Sequence, residues 1–130
     1  MSYTPNDVLQ YVQEEDVKFI RLAFCDVFGK QKNISIMPGE LPRAFADGIA
    51  IDSSAVAGFG GEVFSDLLLF PDPATISLLP WRPEHGRVVR MFCALRCPDG
   101  SPFRMDCRAL LRDAVADASE QGISFSFGSE

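Results

Sequence analysis

Between Lys18 and Cys25 the chain alternates, with Ile20, Leu22 and Phe24 on one side and Phe19, Arg21, Ala23 and Cys25 on the other. A period of two gives an extended strand two distinct faces, whereas on a helix it would scatter the apolar residues around the axis. The same alternation returns late in the chain, where Val89, Met91, Cys93 and Leu95 fall on one face of a long segment. Two strands of this kind call for a sheet with one apolar side, and for helices to cover it.

Turn and cap signals divide the rest. Thr4-Pro5-Asn6-Asp7 reads as a helix start, with a hydroxyl N-cap, proline at the first helical position and an acid three after the cap. Val8, Tyr11 and Val12 form its apolar stripe, and the helix is expected to end near Glu14 to Asp16. Asp26-Val27-Phe28-Gly29 supplies a turn into a second strand, Lys32 to Met37, with Ile34 and Ile36 on one face. After Pro38-Gly39 a short helix, Leu41 to Asp47, is stopped by Gly48, and strands follow at Ile49 to Asp52 and Leu67 to Phe70. Four prolines between 71 and 83 leave room for one short strand, Ile76 to Leu79, with Trp81 at an edge. Pro98-Asp99-Gly100 turns the chain, Asp106 caps a helix over 107–121, and Ile123, Phe125 and Phe127 begin a further strand. The sum is an α+β chain: a mixed sheet crossed by a helix, then a helix-strand unit that belongs to something else. That last strand runs into Gly128-Ser129-Glu130 as if a larger fold had been cut.

The length of 130 residues suits one domain, or one plus the start of another, and 47% hydrophobic residues suffice for a core. The net charge of -6, with basic residues scattered, argues against nucleic acid or an anionic membrane as partner. Four cysteines, at 25, 93, 97 and 107, form no C-x-x-C pair, so they are expected to be free thiols in a reducing compartment. Nothing before Thr4 resembles a signal peptide, and no apolar run reaches the ~20 residues of a membrane span. A cytoplasmic protein is expected.

The chain holds no phosphate-binding glycine loop, no H-E-x-x-H, no nucleophile elbow and no cluster of metal-type residues, so it cannot assemble a complete active site alone. His85, the single histidine, has no base or metal partner among its sequence neighbours. What remains is the stretch Gly48 to Asp72. There the short strand ends on Asp52, and a loop of small residues, Ser53-Ser54-Ala55-Val56-Ala57-Gly58-Phe59-Gly60-Gly61, follows. Loops of this length between strands are commonly functional or disordered. Asp52 has two readings, a turn cap bonded to its own backbone or a catalytic acid.

Asp52-Ser53-Ser54-Ala55 with Gly58-Phe59, then Ser65-Asp66-Leu67 and Pro71-Asp72, is similar to the N-terminal signature of glutamine synthetases, where an aromatic-D-G-S-S segment precedes G-[FW], S-D-[ML] and P-D. Val17 to Arg21 and Phe24 to Lys30 resemble that family's first hairpin. Arg87 to Phe103, with C-P-D-G-S-P-F, resembles the strand closing its N-terminal domain, and helix 107–121 with F-G-S-E resembles the lead-in to its catalytic domain.

The resemblance implies a β-grasp domain over residues 1–103 and the start of a catalytic domain over 104–130. It implies a ligase in which ATP phosphorylates the glutamate side chain and ammonia attacks the acyl phosphate, with Mg²⁺ or Mn²⁺ and most cofactor ligands supplied from outside this chain. It further implies a ring-shaped homo-oligomer, a dodecamer in bacterial relatives, in which this loop is lent to a neighbouring subunit's active site. The 130-residue chain alone is then expected to be inactive. Asp52 would bind ammonium and help take its proton, Ser54 would support it, and Phe59 would flank the nucleotide site; as a Phe between glycines on a polar loop, Phe59 either anchors that loop or meets the partner subunit. Asp66 would be structural, and Glu130 would be the first carboxylate of a metal-binding E-x-E whose second lies outside the chain. Ile51, Ser53, Ala55 and Phe64 depart from the family's pattern, which leaves open a relative that joins glutamate to another amine. A non-catalytic β-grasp binding module is the other alternative.

Overall fold

The first helix, α1 (Pro5–Glu14), opens on a reciprocal cap. The Asp7 amide donates to Thr4 Oγ1 at 3.2 Å and the Thr4 amide donates to the Asp7 carboxylate at 2.7 Å, which satisfies amide donors that a helix start leaves without partners. The computed structural model describes residues 3–59, 66–81 and 83–130. At the other end of α1, Asp16 turns the chain with φ 50°, the only non-glycine residue among those described with a positive φ.

The alternating segments read from the sequence are the two central strands. β1 (Val17–Cys25) folds back through a tight turn onto β2 (Gln31–Ile36), antiparallel. Asp26 holds that turn from inside, only 1% exposed, its carboxylate accepting from the amides of Phe28 and Lys30 at 2.9 Å each. On its other edge β1 pairs in parallel with the last strand, β6 (Arg87–Arg96), in a register that sets Ile20 beside Val89 and Leu22 beside Met91. The remaining strands are β3 (Ile49–Ile51), β4 (Leu67–Pro71) and β5 (Ser77–Leu78). β4 and β5 share the far edge of β6, both antiparallel to it, and β3 adds to β4, so the sheet runs β2-β1-β6-β4-β3. A mixed six-stranded sheet backed by helices is the α+β, β-grasp-type architecture expected.

All the apolar alternation points one way. Ile20, Leu22 and Phe24 of β1, Val89, Met91, Cys93 and Leu95 of β6, and Leu67 and Leu69 of β4 share one core with Val8 and Val12 of α1 and with Leu41 and Ala44 of α2 (Leu41–Asp47). Gly48 ends α2 at φ 76°, its amide donating to the Ala44 carbonyl at 3.1 Å. A Cβ there would also stand 2.9 Å from the Phe70 ring, so the expected helix stop is enforced twice.

α3 (Cys107–Glu120) begins on Asp106, whose buried carboxylate accepts from Ala109 N at 3.3 Å and from Leu95 N of β6 at 2.9 Å. The helix is thereby tied to the sheet at its first turn, yet none of its residues is buried, and Leu110, Leu111 and Val115 of its apolar stripe stay exposed. The strand expected over 123–127 does not form: the segment has no regular structure, and Phe125 and Phe127 stack on one another at 6.0 Å. An extended segment becomes a strand only when a neighbour takes its amides and carbonyls, and no described strand pairs with it. The four cysteines are free. No helix among the described residues is long and apolar enough to cross a membrane.

Candidate functional site

β3 stops at Ile51, one residue short of the expected end, because Asp52 turns its side chain back onto the chain. Its Oδ1 accepts from Ser54 N at 2.9 Å and from Ser54 Oγ at 2.6 Å. Both bonds fall on one oxygen, and the carboxylate as a whole stays exposed. The Ser54 hydroxyl, and after it the Ser54 amide, favour the charged form and hold the Asp52 carboxyl below its ordinary 3.8. Asp52 is therefore an exposed, ionised acid whose orientation is set by the next-but-one residue. It is neither buried nor ion-paired with a described arginine.

Below this acid the loop is anchored. Ser53 is 3% exposed and Val56 8%, and Phe59 is wholly buried, its ring edge-on to Phe103 at 4.9 Å and stacked near Phe24 at 6.4 Å. The resemblance put Phe59 beside a nucleotide; the structure places it in the core of its own domain, where burying its aromatic area anchors the loop. Gly58, with φ 85°, lets the chain pass Val27, whose methyl a Cβ would meet. The rest of the loop, residues 60–65 with Phe64, lies outside the described residues.

Asp52 borders an open groove of about 320 Å³ whose walls come from both edge strands and the loop, with Lys32, Asn33 and Ile34 from β2, Ala50 from β3 and Ala55 from the loop. Asp52 lines this groove, and Ser54, bonded to it, stands behind it rather than on the groove wall. Glu130 is exposed at the end of the unstructured segment, and no hydrogen bond or ion pair joins it to the Asp52 loop among the described residues. Nor do three His, Cys, Asp or Glu side chains among the described residues converge in a way that could hold a metal. His85 faces solvent, 3.8 Å from Glu84.

Two polar features escaped the sequence reading. Asp72 caps a 3-10 turn through the Ala74 amide at 3.0 Å and pairs with Arg108 of α3, also at 3.0 Å. On the sheet face away from the core, Arg90 stacks over Phe92 at 4.4 Å and Arg96 over Phe70 at 4.2 Å. The alternate positions of β6, Arg90 and Phe92 among them, carry the signal for this second face.

Comparison with known proteins matches this arrangement. A family described as "Glutamine synthetase, beta-Grasp domain" matches residues 16–98. The glutamine synthetase of Clostridium saccharobutylicum is 41% identical over 128 residues, covering 98% of this chain and 29% of that relative. The glutamine synthetase of Mycolicibacterium smegmatis is 43% identical over 119 residues, covering 90% of this chain and 27% of that relative. Among solved structures, the Plasmodium falciparum glutamine synthetase superposes with a TM-score of 0.82 at 16% identity, over 95% of this chain and 24% of that one. A GmaS/ADP complex superposes with a TM-score of 0.78 at 23% identity, over 88% of this chain and 26% of that one. The chain spans under a third of the length of each. With the sheet order, the anchored loop and the family match in agreement, the chain belongs to the glutamine synthetase β-grasp domain family.

Proposed function

We propose that this chain is the N-terminal part of an ATP-dependent glutamate-ammonia ligase, lending the loop opened by Asp52 to a neighbouring subunit's active site in a ring-shaped homo-oligomer in the cytoplasm. Residues 1–103 are then the β-grasp domain and 104–130 the start of the catalytic domain, a division supported by the uncovered apolar stripe of α3.

The observation that carries the proposal is the state of Asp52. Ser54 occupies Oδ1 with both of its donors and leaves Oδ2 for a ligand. An ionised, exposed carboxylate draws an ammonium cation by charge, and its fixed orientation sets the direction from which the cation is held. The bound ammonium has no lone pair, so it must first give up a proton, which the carboxylate can help to take. The ammonia that is left attacks the acyl-phosphate carbon, and phosphate leaves with the C–O bonding pair. The nitrogen, now strongly acidic, releases a second proton that even a carboxylate held below its usual pKa can accept. Ser54 keeps the acid aimed, and Phe59 contributes by fixing the loop rather than by touching a cofactor.

ATP with Mg²⁺ or Mn²⁺ does not fit the residues present. Such cations take several oxygen ligands, Glu130 offers one carboxylate, and no step of this reading runs through them. Glu130 is proposed as a single metal ligand among others supplied by the rest of the enzyme.

Ligation of glutamate to another amine is the second reading. Ala55 stands on the groove beside Asp52, and the neighbouring walls are aliphatic at Ala50, Ile34 and Val56, which gives room for an alkyl group on the nitrogen. Steady-state assays of the full-length protein with ammonia and with a short alkylamine separate the two. Asp52→Asn is expected to raise the KM for the amine and lower kcat. Undiminished turnover by that variant refutes the role given to Asp52.

A further inference from the structure

We infer that the outer face of the sheet, at Arg21 and Arg90, is a binding site for a small doubly charged oxyanion, a dicarboxylate or a phosphate. The parallel register of β1 and β6 sets Arg21 directly beside Arg90. Each alternates with buried apolar residues, Ile20 and Leu22 on β1 and Val89 and Met91 on β6, so both leave the sheet on the face away from the core. Neighbouring strands lie about 4.8 Å apart, and like charges placed directly opposite destabilise a sheet unless something lies between them.

No carboxylate among the described residues answers either charge. Arg43 pairs with Glu40, Arg87 with Glu15 and Arg108 with Asp72, whereas Arg21 and Arg90 form no such pair. This is notable in a chain of net charge -6, where acids are in excess. Arg90 is also held in place: its guanidinium lies 4.4 Å over the Phe92 ring, and its Nε is buried without a hydrogen-bond partner. A buried donor left unmade is costly, and a guanidinium fork matches the paired oxygens of carboxylate and phosphate. Two forks rooted on adjacent strands can share one anion that carries two charges. Phe19, exposed two residues before Arg21, gives the site an apolar border. Of the other arginines on this face, Arg108 near the Phe92 ring is already paired with Asp72 and Arg96 lies over Phe70, so the charge open at the site is that of two neighbouring guanidinium groups, which matches a small anion.

The test is a pair of titrations of the full-length protein, with inorganic phosphate and with succinate, at ionic strength held constant by chloride. Binding is read by calorimetry and by melting temperature. One anion is expected to bind per chain, with a melting temperature that rises with its concentration. Arg21→Gln and Arg90→Gln are each expected to weaken binding by about tenfold or more, while Arg43→Gln leaves it unchanged. In the absence of added anion, Arg21→Gln is expected to melt above the parent protein, because the like-charge pair is relieved; a purely structural arginine would lower it. Binding of phosphate alone or succinate alone supports the site and identifies the source. Failure of both to bind the folded protein, or binding indifferent to both substitutions, overturns it.

Discussion

Replacing Phe59 with alanine tests whether the ring is an anchor or a ligand contact. The side chain is 0% exposed and meets two other rings, Phe103 edge-on at 4.9 Å and Phe24 at 6.4 Å. Removing a buried phenyl group costs about 3–5 kcal/mol, and the upper half of that range is expected because two aromatic contacts, each worth about 0.5–1.5 kcal/mol within that total, go with it. Against a typical domain stability of about 5–15 kcal/mol, the variant is strongly weakened. Phe59→Leu keeps most of the volume and is expected to lose only about 1–2 kcal/mol. Urea unfolding followed by far-UV circular dichroism measures both, as a shift in midpoint at unchanged slope. A loss below about 1 kcal/mol for the alanine variant would contradict the packing argument, and a fall in nucleotide affinity without a fall in stability would return the ring to the cofactor.

Three further outcomes follow from the geometry. Ser54→Ala removes the larger of the two causes that depress Asp52, so its pKa is expected to climb back towards 3.8, seen in a carbon-detected titration of the carboxyl. Because the folded-state value is the depressed one, the stabilisation it brings is present above the unfolded pKa and is lost as pH falls through the lower folded value; the serine variant should show less of that acid dependence. Gly58→Ala combines a φ of 85° with a clash against Val27, and a loss of about 1–3 kcal/mol in chemical unfolding is expected. Asp106→Ala leaves the Leu95 and Ala109 amides without their acceptor, and α3 should then exchange its amide hydrogens markedly faster while the centre of β6 changes little.

Much of the architecture was legible because local rules and burial agree. Thr4 and Asp106 start helices and Gly48 ends one for reasons contained in a few neighbouring residues, and the alternation in β1 and β6 names the core face directly. What the sequence hid depends on partners distant along the chain. The apolar repeat of α3 and the alternation at 123–127 are patterns that need an opposing surface, and the described residues supply none. Asp26 read as an ordinary turn acid, yet it is buried, because the loop's own amides replace water around it. Phe59 was readable as a loop anchor or as an outward contact; which of the two it is depends on Phe24 and Phe103, distant along the chain, which pack against it. In the Asp52 site the acid and its serine were visible, while the groove wall from β2 was not, since register across a sheet cannot be read from either strand alone.

β6 sits against β1, β4 and β5, and this placement governs how the protein is born. On a ribosome the first strand emerges about 70 residues before its parallel neighbour, from Val17 to Arg87, so the edge of β1 that β6 fills must wait with its amides and carbonyls unpaired until that strand arrives. Such late, long-range closure slows folding and lengthens the time in which nascent chains can stick to one another.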